Sequence, residues 1–225
     1  MRLKHPLAIN KYWLIAVLCM CVTTTCIAEI KPHPTAIKSN AFANALVKLS
    51  DYLIKQQPVI SRQSYGGYGG ITSDLKFYKQ TRNIDKNTEQ LISNVRWETK
   101  HPENLHSVDV YVYDDQGRLI RDYSASYLPV NRRAPFQTLI NLHYYHDDLH
   151  STRQYDALDN ILSEDCIGTY NNKRVRFGFD YEDIPDTLDD IEDKELRQAY
   201  RACFKDVPTT AAPYTDPLVE MLTEE

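Results

Sequence analysis

The chain has 225 residues, 42% of them hydrophobic, and a formal net charge of −5. That length suits one domain, or at most two small ones. An acidic surface repels phosphate backbones, which argues against nucleic acid as a partner.

Residues 1–28 read as an export signal. Arg2, Lys4 and Lys11 make a basic start, and an apolar run from Trp13 to Val22 follows. Cys26 and Ala28 are small, as a signal peptidase requires, so cleavage is expected after Ala28. The run is about ten residues where a bilayer span needs about 20, and an uncleaved anchor is the alternative. Losing Arg2, Lys4 and Lys11 takes the charge from −5 to −8, and 197 residues remain. They contain no second apolar span, so no membrane span is expected after signal removal. A periplasmic or secreted location follows.

Cys19, Cys21 and Cys26 leave with the signal, and Cys166 and Cys203 remain. Two cysteines in an oxidising compartment are expected to pair, with buried free thiols as the alternative. Neither belongs to a C-x-x-C pair, which speaks against redox catalysis.

Residues 29–38 contain Pro32 and Pro34 and read as a linker. A single domain is expected over 39–207. Phe42, Ala45, Leu46, Leu49, Tyr52 and Leu53 recur at spacings of three and four, which predicts a helix over 40–56, capped by Ser39 or Asn40 and stopped by Pro58. Ser64–Gly70 holds four of the seven glycines. No Gly-Lys-Ser or Gly-Lys-Thr follows it, so a loop is expected there and not a phosphate cradle.

From 71 to 182 short runs of aromatic and β-branched residues alternate with turn clusters such as Asp85-Lys86-Asn87 and Asn171-Asn172. No helical crossover separates them, so the strands should form an antiparallel meander of hairpins. In "SVDVYVYDDQGRLIRDYSASYL", Val108, Val110 and Val112 point one way while Asp109, Tyr111 and Tyr113 point the other. Asp114 to Gly117 supplies the turn, with Gly117 at a left-handed position. Tyr123 and Tyr127 share a face with Leu119 and Arg121. Seven tyrosines fall between Tyr111 and Tyr155. Tyrosine is enriched at recognition surfaces, which makes Tyr111, Tyr113, Tyr123 and Tyr127 a candidate binding face. A cross-strand aromatic ladder that only stabilises the sheet is the alternative.

Tyr113-Asp114-Asp115-Gln116-Gly117-Arg118-Leu119 is echoed 42 residues on, where Tyr155 and Asp156 are followed by Asp159, Asn160 and Ile161. The segment 108–165 thereby resembles the YD repeats of the Rhs and teneurin families, whose motif runs Tyr-Asp-x-x-Gly-Arg-Leu. The first copy matches all five fixed positions and the second keeps Tyr-Asp. The resemblance implies β-hairpins and an exported setting. Two copies cannot enclose a cargo, and no catalytic residue is carried over.

"HYYHDDLH" places His143, His146 and His150 at spacings of three and four. Imidazoles suit zinc, copper or nickel. On a strand, His143 and His146 would face opposite ways, so a polar hairpin tip is the ordinary reading and no metal or other cofactor is expected. Nine carboxylates between Asp180 and Glu195 lack the ligand ladder of a calcium loop. They suit the positive end of the helix expected over 188–205, for which Thr187 and Asp190 form a capping box. Residues 208–225 read as a loosely held tail.

The sequence thus predicts an α+β protein, with an N-terminal and a C-terminal helix packed on an antiparallel meander. No catalytic motif such as G-x-S-x-G or S-x-x-K is present, and the reading leans away from an enzyme. A non-catalytic binding module, meeting a protein or another envelope component, is the first expectation. A small periplasmic metal-dependent hydrolase using the histidine cluster is the alternative.

Overall fold

The computed structural model describes residues 33–67, 76–129 and 132–223. The export signal, the linker up to Pro32 and most of the glycine-rich segment lie outside those residues.

Helix α1 spans Pro34–Gln56, six residues earlier than its apolar spacing indicates. Proline is tolerated in the first turn, where its missing N–H has no helical partner to lose, so Pro34 opens the helix, and the His33 side chain accepts from the Thr35 amide. Ser39 and Asn40 are therefore interior residues and not caps. Ser39 is buried, and Asn40 clamps the helix to the sheet: its Oδ1 accepts from the Tyr127 hydroxyl at 2.7 Å, and its Nδ2 donates to the Arg133 carbonyl at 2.7 Å.

Nine strands follow among the described residues: β1 Val59–Gly66, β2 Tyr78–Asp85, β3 Leu91–Glu98, β4 Leu105–Tyr113, β5 Leu119–Ser126, β6 Gln137–His146, β7 Leu149–Tyr155, β8 Ile161–Tyr170 and β9 Lys173–Asp180. They form one sheet in sequence order, every neighbouring pair antiparallel. The α+β meander expected from the sequence is present. It begins earlier than expected, because β1 takes in Ser64, Tyr65 and Gly66 of the glycine-rich stretch.

Cross-strand register sorts the side chains onto two faces. Val95, Val108, Ala125 and Thr138 form one row of the covered face, and Ser93, Val110, Tyr123, Ile140 and Tyr155 the next. Helix α1 seats Phe42, Ala43, Leu46 and Leu49 on these rows, and all four are buried. The Ser50 hydroxyl donates to Ser93 Oγ at 2.7 Å, which satisfies a buried polar pair between helix and sheet.

A second apolar cluster lies on the same face. Helix α2, Lys194–Phe204, packs Tyr200, Cys203 and Phe204 with Cys166, Leu149 and Ile191, and Phe177 and Phe179 border them. The helical pattern at 188–205 is broken: Leu188–Asp190 is a single 3-10 turn begun by the Thr187–Asp190 capping box, and Asp193 caps α2 by accepting from the Leu196 amide at 2.9 Å. Carboxylates of the acidic stretch are thus engaged in caps and ion pairs, such as Asp189 with Arg197 and Glu195 with Lys173. Cys166 and Cys203 are joined by a disulfide that ties α2 to β8.

The C-terminal segment is docked, not loose. Asp159 accepts from the Ala211 amide and the Thr210 hydroxyl, Ala211 is fully buried, and α3, Pro217–Thr223, places Met221 against the α1 core. Short hydrophobic spacing in the tail hides this contact, since its partners lie some 50 residues away.

The two echoed turns share one construction. In each, the aspartate carbonyl accepts from the residue three on, Gly117 or Asp159, which has a positive φ of 76° or 71°. Its carboxylate accepts from the amide four on, Arg118 or Asn160, at 2.9 Å, and from that residue's side chain at 2.8 Å. Asp159 replaces glycine in the second turn and, in exchange for its strained backbone, supplies the carboxylate that holds the tail. Gly117→Ala is expected to cost about 1 kcal/mol, because an alanine Cβ is disfavoured at φ 76°. Urea denaturation checks this, and an unchanged midpoint would contradict it.

His106 on β4 stacks on Tyr78 with ring centroids 5.2 Å apart. Burial, and secondarily the positive charge of Arg96, lowers its pKa below 6.5. A depressed histidine stabilises the fold above its unfolded pKa, and that contribution is lost as pH falls through the folded value, because the unfolded chain binds the proton more readily. Thermal melts should therefore show His106→Phe losing less stability than the wild type between pH 7 and pH 5. An identical loss would refute the assignment.

Candidate functional site

The three described helices lie against the face just described, and the opposite face of the sheet carries a connected polar and aromatic surface. Register brings its members together. Tyr111 pairs with Asp122, Asp122 with Asn141, and Asn141 with Gln154. Gln154 donates to Asn141 at 2.8 Å, and Asn141 donates to Asp122 Oδ2 at 2.7 Å. Asp122 Oδ1 lies 2.6 Å from His143 Nε2. The other nitrogen of His143, Nδ1, lies 3.1 Å from both His150 Nε2 and Thr152 Oγ1. Tyr145 stacks on the His150 ring at 4.5 Å and 4°, and Arg118 sits over the Tyr145 ring at 4.9 Å.

A second chain runs toward the β1 edge. Gln80 donates to Asn94 at 2.7 Å, Asn94 to Asp109 Oδ2 at 2.9 Å, and Ser124 to Asp109 Oδ1 at 3.0 Å. Arg96 lies 3.7 Å from Asp109. Asn141 and Asn94 each donate through the amide nitrogen and accept through the amide oxygen, so these side chains are held in fixed orientations before any ligand arrives.

Burial pushes several groups on this surface toward their neutral forms. The pKa of His150 is lowered by burial first and by the neighbouring His143 second. The pKa of Tyr111 is raised by burial, then by Asp109 and Asp122, and that of Tyr113 by burial and Asp122. The Tyr113 hydroxyl donates to the Leu91 carbonyl at 3.1 Å, and that of Tyr145 to Leu119 at 3.0 Å. Both rings are thereby tethered at their polar tips.

The structure divides the candidates read from the sequence. Tyr111 and Tyr113 occupy the open face. Tyr123 and Tyr127 do not join them. Tyr123 points to the covered face, is 0% exposed and meets Phe42 edge-on at 6.4 Å. Its parity on β5 matches Val110 across the strand pair, not Tyr111. Tyr127 is bound to Asn40 of α1. Alternation decides these positions, and residue type by itself does not. His143 and His150 come together across the β6–β7 hairpin. His146 sits at the strand end on the other side, 3.0 Å from Lys205 Nζ. The strand reading expected His143 and His146 on opposite faces, and the hairpin places them so: it pairs Tyr145 with His150 and leaves His146 opposite Leu149. Among the described residues no group of three or more His, Cys, Asp or Glu side chains is arranged to hold a metal ion.

Asp122, Asn141, Thr152 and Gln154 were not legible as site residues. The signal that would have found them is the period-two pattern carried through aligned hairpins: counting outward from the Asp147-Asp148 turn places His143 beside Thr152 and Asn141 beside Gln154.

No described helix is long and apolar enough to cross a membrane. No family model matches the chain, and no curated protein matches it. Among solved structures, the crystal structure of a DUF3836 family protein from Bacteroides vulgatus is similar over 44% of this chain and 90% of that one, at 13% identity and a TM-score of 0.25. A likeness that slight carries no argument about fold or activity.

Proposed function

We propose that the chain is an exported, non-catalytic binding module whose open sheet face meets a protein or another component of the cell envelope. One observation carries the reading. The helices cover one face, and the other presents Tyr111, Tyr113, Tyr145 and a pre-oriented series of carboxylates, amides and imidazoles. Aromatic rings with polar tips give contact area at small entropic cost, and fixed hydrogen-bonding groups give specificity. The disulfide favours an oxidising compartment, and the signal-like start at residues 1–28 favours export. The paired Asp114 and Asp156 turns support the kinship with YD-type hairpins in its structural sense, as a way of closing strands.

The test is site-specific photocrosslinking in intact cells. A benzophenone side chain at Tyr111 should give a discrete adduct with an envelope component, and one at Ile37, exposed on α1, should not. Equal yields from both positions, or none from Tyr111, would overturn the assignment to this face.

A further inference from the structure

We propose that His143 and His150 form a divalent transition-metal site on the open sheet face, with the Thr152 hydroxyl as a weak third donor and solvent completing the coordination. The two imidazole nitrogens face each other almost head-on, His143 Nδ1 lying 3.1 Å from His150 Nε2 with the ring centroids 5.3 Å apart, and a tilt of both rings aims their lone pairs at one ion. Ligands bound at about 2.0–2.1 Å and separated by that distance subtend about 100° at the metal, between square-planar cis and tetrahedral angles. Thr152 Oγ1 stands at the same 3.1 Å from His143 Nδ1.

The surroundings match those of a histidine ligand. A ligating imidazole donates its other N–H to a carboxylate, which fixes tautomer and orientation. Asp122 Oδ1 occupies that place 2.6 Å from His143 Nε2, and Asn141 holds Asp122 in turn at 2.7 Å. His143 therefore keeps its proton on Nε2 and offers the Nδ1 lone pair. In the metal-free chain that lone pair accepts a hydrogen bond from His150 Nε2–H or Thr152. On binding, His150 presents its Nε2 lone pair to the metal and carries its proton on Nδ1. His150 and Thr152 also line a cavity of about 450 Å³ with Asp165, Ile167 and Arg176, which leaves room for water or another ligand on the metal.

Two imidazoles, a hydroxyl and no thiolate select borderline metals over calcium or magnesium, and Cu(II) binds such donors most tightly in the divalent series. The donor set is small, so affinity in the micromolar range is expected. A metal here requires no macromolecular partner, and the photocrosslinking result above leaves it untouched.

Calorimetry with Cu(II) on the untagged, disulfide-bonded chain is the direct test, with electron paramagnetic resonance to count the nitrogens. One equivalent should bind with two equatorial imidazole nitrogens. His150→Ala should weaken binding by about 100-fold, Asp122→Asn by about 10-fold or more through the lost orientation of His143, and His146→Ala should change nothing. Circular dichroism confirms folding of each variant. Should His143→Ala unfold, His150→Ala and Asp122→Asn decide the matter. Binding that survives His150→Ala, binding lost in His146→Ala, or no binding below about 100 micromolar Cu(II) overturns the site.

Discussion

Glu164→Ala is expected to lower the free energy of unfolding by about 3–5 kcal/mol, the range found when one partner of a buried ion pair is removed. Glu164 on β8 is 1% exposed and Arg153 on β7 is 5% exposed. They face each other in register, and the Arg153 guanidinium donates to Glu164 Oε1 through Nε at 2.6 Å and also through Nη2. The arrangement is fully used. Tyr200 of α2 donates its hydroxyl to Glu164 Oε2 at 2.6 Å, which together with burial raises the tyrosine pKa. Arg153 Nη1 donates to the carbonyls of Val207 at 3.1 Å and Pro208 at 2.6 Å. Alanine at 164 therefore leaves a buried guanidinium without its counter-ion and a tyrosine hydroxyl without its acceptor. Equilibrium urea denaturation of the oxidised chain measures the loss. The double variant Arg153→Met/Glu164→Leu should lose much less than the two single alanine variants combined, because apolar side chains of similar size remove both charges together. A loss below about 1 kcal/mol for Glu164→Ala would show that water reaches the pair.

Removing the disulfide is expected to cost about 4 kcal/mol, the chain-entropy value for a loop of this length. Cys166 and Cys203 are separated by 37 residues, and both are buried. The consequence should be local before it is global. The disulfide and the Arg153–Glu164 pair both hold α2 and the segment after it onto β7 and β8, whereas α1 and strands β3 to β6 have their own apolar cluster. Cys166→Ala/Cys203→Ala, or reduction of the wild type, should shift the urea midpoint. Amide exchange should become faster first over 188–212. A midpoint indifferent to reductant, or uniform loss of protection across the chain, would contradict this account.

Much of the fold was legible because its signals are local. The period-two alternation of Val108, Val110 and Val112 against Tyr111 and Tyr113 requires only that a strand have two faces. Turn formers at Asp114–Gly117 and Asn171-Asn172 mark where hairpins close. Absence of helical crossovers leaves an antiparallel meander as the connection such strands can make. The pairing of Cys166 with Cys203 was expected because they are the two cysteines left outside the signal-like start. Boundaries were less legible where a residue has two roles. Pro34 reads as a breaker but opens α1, and Ser64 to Gly66 read as loop but extend β1.

The site depended on relations between distant residues. No local pattern says that Asp122 meets His143, since the two lie on different strands and only the β5–β6 register brings them together. Strand alternation already set His146 apart from His143, but only the β6–β7 register brought His150 to His143. Tyr123 looked like Tyr111 by type, and cross-strand parity sent it into the core beneath Phe42. The docked C-terminal segment has the same origin: Asp159, Arg153 and Tyr155 hold it by bonds spanning some 50 residues. The sequence by itself determined the class of fold, its hairpin grammar and its covalent staple, because alternation, turn chemistry and cysteine count act within a few residues. Tertiary structure decided which tyrosines and histidines share a surface, because that depends on the register of nine strands and on which face the helices cover.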